Sequence, residues 1–147
     1  MNTALIIDDD LDFSEIFSLM LTEHDIAVWE AASTEEAFEA LRKEEHFDII
    51  FCDLHLPFTL GDDVEEYVYS EEVGIRTIGE LSWVYRGKIP IVGMSASPEL
   101  DFQKLKERQP DIPTISKPIK RAELEHVLNT LGSGRSTEMM ESTTLLV

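Results

Sequence analysis

The sequence predicts an α/β protein whose core is a doubly wound parallel sheet of five strands. Five short apolar runs alternate with segments whose apolar residues recur at helical spacing. The runs are almost continuously apolar, as strands of a parallel sheet are when helices cover both of its faces. At 147 residues the chain has room for one such domain.

The first three strands are predicted in the N-terminal part of the chain. Residues 4–7 form an apolar run that three aspartates end, and residues 26–31 form a weaker second run. The third run, residues 49–52, also ends at an aspartate. Between the second and third runs, Ser33 and Glu36 have the spacing of a helix capping box. The helix after the first strand carries the apolar stripe Phe13, Ile16, Phe17, Met20 and Leu21.

Two more pairs of strand and helix complete the pattern. Residues 89–94 predict the fourth strand, and Ser97 with Pro98 begins a helix that extends to Arg108. Residues 112–116 predict the fifth strand. The final helix carries the apolar stripe Leu124, Val127, Leu128 and Leu131.

The connection between the third and fourth strands is longer than one crossover helix needs. We therefore expect an extra helical insertion at about residues 65–88. Its apolar side consists of Ile75, Ile78, Leu81 and Tyr85. The insertion is either a surface elaboration or, through Trp83 and Tyr85, an element that docks a partner.

The predicted domain spans residues 1–132. From residue 133 to residue 147 the composition turns to Ser, Thr, Glu and Met, without any periodicity. Such a segment has too little apolar surface in a regular pattern to form a packed element. We expect a disordered tail there.

Composition excludes several classes of partner. The formal net charge is −18 and the chain lacks a basic patch, which argues against contact with nucleic acid or an anionic membrane surface. The sequence has no apolar stretch long enough to cross a membrane. Cys52 is the single cysteine and lies in an apolar run, which indicates a buried thiol in a reducing compartment. We therefore expect a cytoplasmic protein.

Polar side chains follow the predicted strands where ligands bind in open parallel sheets, at the carboxyl ends. They are Asp8 and Asp9, Asp53, Ser95 and Lys117. Taken singly, each has an ordinary structural explanation, such as helix capping or a turn. Taken together, crowded carboxylates require that one of them takes a proton or that a cation is bound, and carboxylate oxygens suit Mg²⁺. The amine and the hydroxyl suit phosphoryl oxygens, and an aspartate can accept a phosphoryl group. These residues suggest metal-assisted phosphoryl transfer to an aspartate.

Four motifs in this order resemble those of the receiver domains of two-component response regulators. The motifs are residues 5–10, LIIDDD; residues 52–57, CDLHLP, with Gly61; residues 92–96, VGMSA; and residues 116–118, SKP. The resemblance covers about Thr3 to Leu131. It implies a flavodoxin-like fold with strand order 2-1-3-4-5.

The resemblance also implies roles for individual residues. Asp53 matches the phosphoacceptor, Ser95 the switch hydroxyl and Lys117 the amine that pairs with the phosphoryl group. The implied ligands of Mg²⁺ are Asp8, Asp9, Asp53 and the backbone carbonyl of His55. The Lys117–Pro118 bond matches one that is usually cis. Thr114 stands where the family usually has an aromatic switch residue, which puts the usual coupling to the output surface in question.

The function that follows is that of a single-domain response regulator. It would take a phosphoryl group on Asp53 from a histidine kinase or phosphotransfer protein, lose it slowly by its own chemistry and signal through contact with a protein partner. One alternative is a pseudo-receiver that binds a partner without phosphorylation. Another is an aspartate-nucleophile phosphohydrolase, although His55 stands where such enzymes place a second acid.

Overall fold

The computed structural model of the protein describes residues 1–44, 46–56 and 71–131, in which strands and helices alternate. The elements are β1 Thr3–Ile7, α1 Leu11–Thr22, β2 Ala27–Ala31, α2 Thr34–Lys43, β3 Ile49–Asp53, α3 Glu71–Tyr85, β4 Ile91–Ser95, α4 Pro98–Arg108 and β5 Thr114–Ser116. A further helix, α5, spans residues 121–131. Among these helices, none has the length and apolar character needed to cross a membrane.

The five strands form one parallel sheet in the order β2-β1-β3-β4-β5. This confirms the predicted fold class and the predicted strand order. Apolar side chains of α1 and α5 pack on one face of the sheet, where Phe17 and Phe51 meet edge to face at 4.8 Å between ring centroids. Side chains of α2, α3 and α4 pack on the other face.

Helix α1 departs from the predicted stripe at one position. Phe17 and Leu21 are buried and Phe13 and Met20 are partly buried, but Ile16 is 61% exposed. The helix therefore presents a narrower face to the sheet than its apolar spacing indicates, so the prediction for Ile16 was wrong.

The predicted N-cap positions of α2 and α4 are both confirmed, but of these two caps only that of α2 makes a capping hydrogen bond. The N–H of Glu36 donates to Ser33 Oγ at 3.1 Å, as in a capping box. Glu36 Oε1 accepts in return from the N–H of Ala32, one residue before the N-cap, at 3.1 Å. Asp10 caps α1 by accepting from the N–H of Phe13 at 3.1 Å. Ser97 holds the N-cap position of α4, but its side chain makes no capping hydrogen bond.

Helix α3 is the crossover between β3 and β4, and it occupies much of the predicted insertion. Three of the predicted apolar residues, Ile75, Ile78 and Leu81, are buried in the core. Residues 71–85 therefore belong to the fold itself. Any additional element before α3 stays a prediction, because residues 57–70 lie outside the described residues. The predicted disordered tail also stays a prediction, because residues 132–147 lie outside them too.

The start of α3 packs directly on the chain that follows β3. A Cβ atom added at Gly74 would lie 2.3 Å from the carbonyl oxygen of Leu54 and 2.4 Å from its Cα atom. Only glycine permits two backbones to approach this closely. Gly74 thus allows α3 to sit against the residue next to Asp53.

Candidate functional site

The sheet register brings the ends of four strands to one edge. Ile7 of β1 pairs with Cys52 of β3, so Asp8 and Asp53 follow at the same level. Asp53 in turn pairs with Met94 of β4, one residue before Ser95. Lys117, just after β5, donates its N–H to the carbonyl oxygen of Ser95 at 2.9 Å.

Three carboxylates cluster at this edge. Asp8, Asp9 and Asp53 each offer one oxygen atom, and these oxygens all lie within 4.8 Å of one another. Asp8 is 1% exposed and Asp53 is 5% exposed, whereas Asp9 is partly exposed. The acidic pocket, defined by these three residues, is therefore open to solvent on the side of Asp9.

Lys117 inserts its ammonium group between the two buried carboxylates. The Nζ atom contacts Asp8 Oδ2 and lies 3.0 Å from Asp53 Oδ2. It also lies 4.4 Å from the centroid of the Phe13 ring, in a cation–π contact. The next peptide bond, Lys117–Pro118, is cis, as the resemblance implied.

Burial and charge change the titration of these groups together. Burial, and then repulsion from Asp53, raises the pKa of Asp8 from 3.8 to about 7. Burial also raises the pKa of Asp53, although Lys117 and the N–H of His55 oppose this rise. Burial lowers the pKa of Lys117, but attraction to Asp53 and Asp8 outweighs it, so that the pKa is raised overall. The lysine is charged at neutral pH, while the two buried carboxylates resist full ionisation.

The donor set of the acidic pocket fits Mg²⁺. It offers carboxylate oxygens, the ligand atoms that this cation prefers. With all groups ionised, three carboxylates and one ammonium leave two negative charges uncompensated, the charge that one Mg²⁺ ion carries. A divalent cation would therefore relieve the repulsion that raises the pKa values of Asp8 and Asp53.

His55 and Ser95 make their side-chain contacts outside the acidic pocket. The N–H of His55 donates to Asp53 Oδ1 at 3.1 Å, but its ring Nε2 lies 2.6 Å from Asp101 Oδ2 on α4. The Ser95 hydroxyl donates to the same Asp101 oxygen and accepts from the N–H of Ser97 at 2.8 Å. The His55 carbonyl as a metal ligand stays a prediction.

The sequence did not reveal the role of Asp101. An acidic residue in the first turn of a helix is expected from the helix dipole alone. Asp101 differs from Glu99 in the same turn because it is 4% exposed and Glu99 is exposed. Only the placement of α4 against β4 and β5 distinguishes the two acids.

The raised pKa of Asp8 predicts how stability depends on pH when no divalent cation is present. Between pH 4 and pH 7, the folded state holds a proton on Asp8 that the unfolded state has lost. The free energy of unfolding should therefore fall as the pH rises through this range, by an amount on the order of a few kcal/mol. Urea unfolding at several pH values in chelator would measure the effect.

Asp8→Asn removes the titrating group and should flatten this pH dependence. Asp10→Asn is the matched control, because Asp10 is exposed and asparagine also caps helices well. If wild type and Asp8→Asn give the same pH profile, Asp8 is not the source of the effect.

The family model of the response regulator receiver domain matches residues 4–129. The structure is similar to that of a protein from Chloroflexus aurantiacus J-10-fl described as a response regulator, with 25% identity, a TM-score of 0.69, and coverage of 88% of this chain and 96% of that chain. It is also similar to a CheY-like receiver domain from Methylobacillus flagellatus, with 24% identity, a TM-score of 0.68, and coverage of 89% and 98%.

The chemotaxis response regulator CheY4 of Vibrio cholerae has the same fold, with 19% identity, a TM-score of 0.69, and coverage of 89% of this chain and 98% of that chain. Comparison with curated proteins found no match. The family match spans both halves of the sheet and every residue of the acidic pocket. The chain therefore belongs to the family of response regulator receiver domains.

Proposed function

We propose that this protein is a response regulator that accepts a phosphoryl group on Asp53 from the phosphohistidine of a histidine kinase or phosphotransfer protein. The observation that carries the proposal is the contact of Lys117 with Asp53 and Asp8 inside the acidic pocket. A capping role for the aspartates would not bring the partly buried lysine that follows β5 into the same cluster.

Asp53 is the nucleophile in this reaction. One carboxylate oxygen attacks phosphorus and forms a P–O bond, while the P–N bond of phosphohistidine breaks and its electron pair stays on the imidazole nitrogen, which takes a proton from solvent. The carboxylate needs to be ionised for this attack. Lys117 at 3.0 Å and the N–H of His55 at 3.1 Å both stabilise the ionised form.

Mg²⁺ is the cofactor of the proposed reaction, and Asp8, Asp9 and Asp53 would hold it, with the His55 carbonyl as a further ligand. When bound, the cation supplies positive charge to the phosphoryl oxygens. Lys117 supplies a second positive charge that can follow the phosphoryl group. Ser95, at the end of the adjacent strand, can donate a hydrogen bond to a phosphoryl oxygen once its hydroxyl turns toward Asp53.

The proposed output is contact with a protein partner. A phosphoryl group at Asp53 adds negative charge and hydrogen-bond acceptors where β3, β4 and β5 end, which would favour one of two arrangements of the surface beside them. The net charge of −18 makes nucleic acid or an anionic membrane a poor partner.

We place the protein in the cytoplasm, where the buried free thiol of Cys52 stays reduced.

Labelling with a small acyl phosphate tests the proposal. In the presence of Mg²⁺ we expect one phosphoryl group per chain, seen as a single mass increment that peptide mapping assigns to Asp53. In excess chelator the increment should be lost, because the phosphoryl oxygens would meet uncompensated carboxylates.

Failure to label with Mg²⁺ present would favour a pseudo-receiver that binds partners without phosphorylation. Steady release of phosphate from an external phosphate ester would instead favour a phosphohydrolase. Labelling that proceeds equally well in chelator would reject the role of the metal.

A further inference from the structure

Asp101 of α4 links two segments that border the phosphorylation site. Its Oδ2 atom accepts from the hydroxyl of Ser95, the last residue of β4, and from Nε2 of His55, which follows β3, at 2.6 Å. A carboxylate oxygen only accepts hydrogen bonds, so both partners act as donors to it. Asp101 is almost completely buried, and its Oδ2 atom depends on these two donors in place of water. We name this group of three residues the Asp101 clamp.

The clamp uses the one proton that the Ser95 hydroxyl can donate. The same hydroxyl oxygen accepts from the N–H of Ser97 at 2.8 Å, which also holds it in place. A Cβ atom added at Gly93 would lie 3.0 Å from Leu105 of α4, so Gly93 is on the face of β4 that α4 covers. Residues two apart in a strand point to the same face, so the Ser95 side chain is on that face as well. Its hydroxyl is therefore directed to α4 and away from the acidic pocket.

We propose that Asp101 is a positioning residue that holds the Ser95 hydroxyl away from Asp53 until a phosphoryl group competes for its proton. This inference rests on the function proposed above. A phosphoryl oxygen on Asp53 and the carboxylate of Asp101 both need the same donor, and the hydroxyl can serve one of them at a time.

The competition gives the clamp a second consequence. When Ser95 turns to a phosphoryl group, Asp101 Oδ2 keeps the His55 ring as its donor among the described residues. A buried carboxylate with one donor fewer is destabilised. The loss is reduced if α4 shifts so that water reaches Asp101. The clamp thus opposes the phosphorylated arrangement and couples it to the position of α4.

A double-mutant cycle tests the clamp with beryllofluoride, which mimics a phosphoryl group, in the presence of Mg²⁺. Asp101→Ala should tighten beryllofluoride binding about tenfold in the wild-type background, the size of one charged hydrogen bond released from competition. In the Ser95→Ala background the same substitution should change the affinity little, because there is no hydroxyl to release. Glu99→Ala is the matched control, since Glu99 is an exposed acid in the same helical turn.

Equal effects of Asp101→Ala in the two backgrounds, or weaker binding in the wild-type background, would overturn the clamp. Asp101→Asn keeps the shape of the side chain without its charge and should give an intermediate tightening. This variant serves if Asp101→Ala does not fold.

The conformation of Ser95 provides a readout that does not depend on phosphorylation. NMR couplings of the Ser95 side chain should show one rotamer in the wild type and averaged rotamers in Asp101→Ala. The same single rotamer in both proteins would reject the clamp. Wild-type protein that fails to bind beryllofluoride would reject the proposed function instead, and the rotamer measurement would still decide on the clamp.

Discussion

Asp53→Asn should lower labelling by an acyl phosphate at least about a thousandfold, the scale seen when a nucleophile is removed from an active site. An amide keeps the size of the side chain but lacks the negative charge that makes a carboxylate oxygen a nucleophile toward phosphorus. The other acids cannot replace Asp53 easily, because Asp8 is buried behind Lys117 and its raised pKa favours the protonated form. Intact-protein mass spectrometry after incubation with Mg²⁺ and the acyl phosphate measures the loss.

The stability of the Asp53→Asn variant separates lost chemistry from a lost fold. Burial raises the pKa of Asp53, so removal of its charge should leave the cation-free protein at least as stable as the wild type. Asp10→Asn, the same substitution at an exposed neighbour, should label like the wild type. Labelling that persists in Asp53→Asn would move the acceptor to another residue, and labelling lost in both variants would show that the assay reports damage near the site.

Gly74→Ala is expected to destabilise the protein by about 3 kcal/mol or more, because the new methyl group would overlap backbone atoms of Leu54. The backbone atoms of Leu54 cannot rotate away from the new methyl group as a flexible side chain could. Helix α3 would have to move from the chain beside Asp53, and the melting temperature should fall by roughly 10 °C. Urea and thermal unfolding in the presence of Mg²⁺ measure both quantities.

Gly79→Ala provides a matched control in the same helix. Among the described residues, a Cβ atom at Gly79 would meet the side-chain amide of Gln109, at an ordinary 3.4 Å. Alanine favours helix over glycine by up to about 1 kcal/mol, so this variant should be as stable as the wild type or more stable. Equal stability of the two variants would mean that α3 does not approach Leu54 as closely as described.

The fold and most of the pocket could be predicted because parallel strands impose a simple rule. Their carboxyl ends meet at one edge, so Asp8, Asp53 and Lys117 had to converge once each was placed after a strand. The structure brings these three residues together as that rule requires. The sequence pattern carried this information because apolar runs and the acids that end them are local features.

The contacts that could not be predicted depend on how helices sit on the sheet. Asp101 reaches His55 across 46 positions of sequence, and no periodicity records that pairing. The exposure of Ile16 likewise depends on the angle at which α1 meets its neighbours. The length of the connection before β4 indicated extra chain, but a count of residues could not tell which of them form the crossover helix α3.

The strand order lets the sheet assemble in the order in which the chain is synthesised. β1 comes first, β2 and β3 add to its two sides, β4 adds beyond β3 and β5 beyond β4, so no strand has to enter between two that are already paired. Lys117 follows the last strand. Asp8 and Asp53 therefore gain the Lys117 counter-ion only when β5 is paired with β4, so pairing of the edge strand and partial neutralisation of the acidic edge depend on the same contact.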